Sequence, residues 1–116
     1  MTSSASNTVV LVLTTIGAET DGAALARTLV EERLAACVNV LPVMTSFYRW
    51  KGKLEKDDER LLVIKTRADR FAALRQALIA MHSYEVPEVL ALPVADGHAP
   101  YLQWLDAGVA AARGSG

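Results

Sequence analysis

Three stretches of this chain are apolar at consecutive positions rather than alternate ones: Val9-Val10-Leu11-Val12-Leu13, Leu61-Leu62-Val63-Ile64 and Val89-Leu90-Ala91-Leu92. All three are far too short to span a bilayer as a helix. The first lies in a run of β-branched residues, 8–16 (TVVLVLTTI), and reads as a strand. Successive side chains of a strand point to opposite faces, so these strands are apolar on both sides of the pleat. A sheet covered on one face alone should alternate apolar with polar. The second face of this sheet therefore needs a cover of its own.

The rest of the chain limits what that cover can be. Gly17 breaks the first strand, and Asp21 is placed to cap a helix carrying Leu25, Leu29 and Val30 towards the core, up to about Leu34. Residues 36–50 (ACVNVLPVMTSFYRW) read as one long strand. Pro42 marks an edge position or a bulge there, because it cannot donate to a ladder. Lys51-Gly52-Lys53 turns the chain back into a second long strand over 54–66. Residues 69–82 form a helix with the apolar stripe Phe71, Leu74, Leu78 and Met81. Residues 88–94 (EVLALPV) are a further strand, and Leu102, Leu105 and Val109 mark a last helix with Pro100 early in it. The order β-α-β-β-α-β plus a C-terminal helix is the α+β, ferredoxin-like split βαβ plan, with an antiparallel sheet. Its two principal helices cover one face. The extra helix can lie across the other face, or partner subunits can close it, and partners are the economical answer. Six outward apolar side chains at ~1.5–3 kcal/mol each leave roughly 10 kcal/mol unrealised in a monomer. That is as large as a domain's whole stability. The composition agrees: 116 residues with 52% apolar and a mean hydropathy of +0.22 is greasy for a small monomer. The domain is assigned to residues 8–112, with polar tails at 1–7 and 113–116.

Charge removes several function classes. Twelve basic and thirteen acidic residues give a net charge of −1. This is not the electrostatic footprint of a nucleic-acid or polybasic membrane-surface protein. The single Cys37 cannot build an internal disulfide or a four-ligand zinc site. The first basic residue is Arg27, so no charged region of a signal sequence precedes the apolar run, and a cytoplasmic location is expected.

Few residues offer chemistry. Cys37 is either buried filler or a soft ligand suited to Cu(I) or zinc. His82 ends the second helix, where capping or hydrogen bonding is the plain role, and His98 sits in a turn. In this plan Cys37 starts a strand at one end of the sheet and His82 lies at the other. A ten-residue strand spans roughly 33 Å, so one subunit cannot bring them together. Tyr48 and Trp50 point to one side of the hairpin tip and are candidate interface anchors. Asp57, Asp58 and Glu59 read as a solvated, aggregation-deterring edge. Lys65, ending an apolar strand, needs an acidic partner or an anionic ligand. No G-x-S-x-G, P-loop or G-x-G-x-x-G is present, so no enzyme is expected.

Taken together, Leu34–Asn39 (LAACVN), Ser46–Lys53 (SFYRWKGK), Ile64–Thr66 (IKT), His82–Glu88 (HSYEVPE) and Tyr101–Leu105 (YLQWL) resemble the CutA family, the divalent-cation tolerance proteins, in order and in spacing. The resemblance runs from about Val9 to Gly108. One departure is His82-Ser83-Tyr84, where the family often has His-Pro-Tyr; serine there should let the helix run slightly further. The resemblance implies a ferredoxin-like homotrimer associated with tolerance of copper or other divalent ions. It also implies similarity to PII-type signalling trimers, which hold small effectors between subunits. Carried onto this chain, Cys37 and His82 are the metal candidates, and Tyr48, Trp50, Lys65, Tyr84 and Trp104 the intersubunit cleft. A PII-like module would take a small anionic effector through Lys65 and the aromatics, and an anchoring trimer with an indirect metal link is the third reading.

Overall fold

The computed structural model describes residues 8–110. The assigned tails, 1–7 and 113–116, and the last two residues of the assigned domain, 111–112, lie outside the described residues. The elements run β1 (Val9–Gly17), α1 (Gly22–Glu31), β2 (Cys37–Val40), β3 (Met44–Trp50), β4 (Lys53–Arg67), α2 (Ala68–Met81), β5 (Leu90–Pro93) and α3 (Ala99–Val109). All strand pairings are antiparallel. The sheet order is β2-β4-β1-β5, with β3 also on β4. The fold is α+β, as expected.

Every second residue of β1 and β4 feeds the core. Val10, Val12 and Ile16 meet Leu62 and Ile64, and Leu29 of α1 and Leu74 and Leu78 of α2 close over them. Asp21 accepts from the Ala24 backbone N–H at 3.0 Å and caps α1 as expected. The helix stops short of Leu34, because Arg33 takes a left-handed φ of 59° and Leu34 N donates back to Leu29 O. Two residues placed on the inner faces are in fact outside: Val30 and Met81 are exposed. Both follow a buried leucine by only one or three positions, at the flank of a stripe that Leu29, Leu74 and Leu78 already fill. Ser83 does not prolong α2. The helix ends at Met81, and His82 is extended at φ −84°, ψ 144°, a conformation in which the backbone leaves the helix whether serine or proline follows.

The single strand expected over 36–50 is two strands. Leu41 N still donates to Leu61 O, but Met44 already stands opposite Glu59. Pro42 and Val43 together therefore face Arg60 alone, which is a one-residue bulge. Beyond it β3 and β4 form an arm closed by Lys51 (φ 51°) and Gly52 (φ 81°), the two positive-φ residues of a tight hairpin loop.

The second face is half covered. Lys65 and Arg67 leave β4 on the side away from α1 and α2, and both reach α3: Lys65 Nζ lies 5.9 Å from the Tyr101 ring centroid and Arg67 3.8 Å from Asp106. Gly108 sits so close to Ala36 that an added methyl would meet it at 3.2 Å. The last helix thus lies against this face, the alternative to a partner subunit. It does not cover all of it, since Leu90 and Leu92 are 54% and 44% exposed.

Candidate functional site

The uncovered end of the second face is concave. The bulge matters here. In the pairing of β2, odd residues share a face with Lys65; after the extra residue, the even residues Met44, Ser46, Tyr48 and Trp50 do. Tyr48 and Trp50 are therefore on one side, as expected, and it is the side of Glu55, Asp57 and Glu59. The segment 83–88, between α2 and β5, forms the opposing wall. Together they border an open groove of about 890 Å³, with Leu13, Met44, Leu61 and Val86 as apolar lining, Phe47, Tyr48, Trp50 and Tyr84 as aromatic lining, and Asp57, Glu59, Glu85 and Glu88 as carboxylates.

Three side chains fix this wall. Thr15 O can only accept and the Tyr84 N–H can only donate, so the contacts assign the proton of His82 to Nε2. Nε2–H donates to Thr15 O at 2.6 Å and Nδ1 accepts from Tyr84 N at 3.1 Å. The rings of His82 and Tyr84 pack with their centroids 4.6 Å apart, tilted by 49°. The Tyr84 hydroxyl donates to Glu59 Oε2 at 2.7 Å. Burial, then this hydrogen bond to a carboxylate, raises the Tyr84 pKa well above the ordinary tyrosine value. The Tyr48 hydroxyl donates to Asp57, and that bond first, then burial, pushes its pKa up to about 12.

Of the predicted cleft residues, the structure brings together Tyr48, Trp50 and Tyr84 and sets Lys65 and Trp104 apart. Lys65 is paired in register with Cys37 and Leu11 and faces Tyr101. It thus meets an aromatic ring in place of an acid or an anion. Trp104 lies 5.4 Å from the same Tyr101 ring and is 52% exposed. His82 anchors the wall and is not part of its lining. Cys37, a free half-buried thiol, starts β2, and Leu11 is its row-mate on β1, four residues from Thr15. Cys37 and His82 are separated accordingly by about 13 Å along the strands and about 10 Å across them. Both ring nitrogens of His82 are engaged, and among the described residues no group of three or more His, Cys, Asp or Glu could hold a metal ion. The described residues of one chain therefore bring together no complete set of metal ligands.

Glu59, expected with Asp57 and Asp58 on a solvated edge, is instead buried under Tyr84. The sequence carried part of the signal: Glu59 is in phase with Leu61 and Val63, but so is Asp57, which stays exposed.

Residues 10–108 match the family described as CutA1 divalent ion tolerance protein. The chain belongs to this family. The divalent-cation tolerance protein CutA of Thermus thermophilus is 48% identical over 95 residues, 82% of this chain and 92% of that relative. A CutA homolog of Xenopus laevis is 56% identical over 81 residues, so that the chain spans 54% of that longer relative. The crystal structure of CutA1 from Oryza sativa superposes with a TM-score of 0.86 at 40% identity, over 94% of this chain and 100% of that one. The CutA1 match spans the core, the arm and the wall alike, and its end at residue 108 falls within α3.

Proposed function

We propose that this CutA-family protein is a homotrimer of ferredoxin-like subunits that serves divalent-cation tolerance by reversible, non-catalytic binding of copper or a similar divalent ion. The observation that carries the metal reading is Cys37: a free thiol, half-buried at the head of an edge strand, in a chain whose own donors leave its coordination incomplete. A soft thiolate suits zinc or copper in its reduced Cu(I) state, and ligands from neighbouring copies would fill the remaining positions. His82 joins only if its bond to Thr15 gives way, so its part is secondary. The ferredoxin-like assignment is supported by the sheet order β2-β4-β1-β5 with α1 and α2 on one face. Assembly is supported by the leucines of β5, wet in the single chain. We place the activity in the cytoplasm, where a lone thiol stays reduced. A PII-like effector site draws less support, because the concave lining has four carboxylates and no basic residue to meet an anion.

The test is titration calorimetry with Zn²⁺, and with Cu(I) kept reduced under argon, beside light scattering. Saturable binding on a particle of 3 × 12.5 = 37.5 kDa is expected. Cys37→Ser should weaken the binding by about tenfold or more, and His82→Ala by much less. Unchanged binding in Cys37→Ser would end the thiol assignment.

A further inference from the structure

We draw no further inference here: the strongest candidate, the carboxylate-lined groove between the β3–β4 arm and residues 83–88 with Glu59 buried at Tyr84, lies on the same incompletely covered sheet face as the leucines of β5 and belongs to the contact between copies already proposed.

Discussion

Tyr84 connects stability to pH through one hydroxyl. In the unfolded chain a tyrosine ionises near pH ~10. In the fold, burial and the bond to Glu59 hold Tyr84 above that, and the bond to Asp57 holds Tyr48 at about 12. A raised folded pKa contributes stability that is fully present below the unfolded value and is lost as the pH climbs through the folded one. The urea midpoint should therefore hold steady from pH 8 to about 9.5 with respect to these groups and fall above about 10. Tyr84→Phe should be less stable at pH 8, having lost a bond to a buried carboxylate, and should show a shallower alkaline fall. An alkaline fall as steep as the parent's would show that the Tyr84 hydroxyl is not its cause. Glu59 shows where residue-level reading runs out. Three acids in a row look solvated. Their phase relative to Leu61 and Val63 puts Asp57 and Glu59 on one face, and only the paired structure shows that Tyr84 buries Glu59 and leaves Asp57 exposed.

At the scale of elements, the strands and helices were legible because their signals are local: β-branched runs, Asp21 ahead of an apolar period, Pro100 at a helix start. The inner and outer flanks of a helix were less so. Leu74 is fully buried, whereas Val30 is 40% exposed and Met81 42%. Leu74→Ala should cost about 2–5 kcal/mol, and Val30→Ala less than about 0.5 kcal/mol, in urea unfolding at fixed protein concentration. Comparable losses at both would place Val30 back in the core. The break at Pro42 was legible as an edge or a bulge, but its consequence was not. Which face the arm presents depends on a count of residues across two strands, and that count exists only once the strands are paired.

At the scale of the whole molecule, consecutive apolar residues implied a second cover, and two candidates for it were visible in the sequence. The structure uses the last helix for one end of the face and leaves the β5 end open. Replacing Leu90 and Leu92 together by lysine should leave the single-chain core intact and lower the solution mass towards 12.5 kDa. A 37.5 kDa particle in that variant, three times the chain mass, would place the subunit contacts elsewhere. The separation of Lys65 and Trp104 from the concavity could not be foreseen, since it follows from where α3 comes to rest.

The extra residue at Pro42–Val43 has a consequence for how such a chain can vary over evolutionary time. Most surface connections accept gaps freely, because nothing downstream depends on their length. Between Val40 and Met44 the ladder keeps count, and a pairing that slid by one position would turn Tyr48 and Trp50 outwards while leaving every amino acid downstream unaltered. Spacing there is thus under tighter constraint than chemistry: many side chains could stand at Val43, but only one number of them.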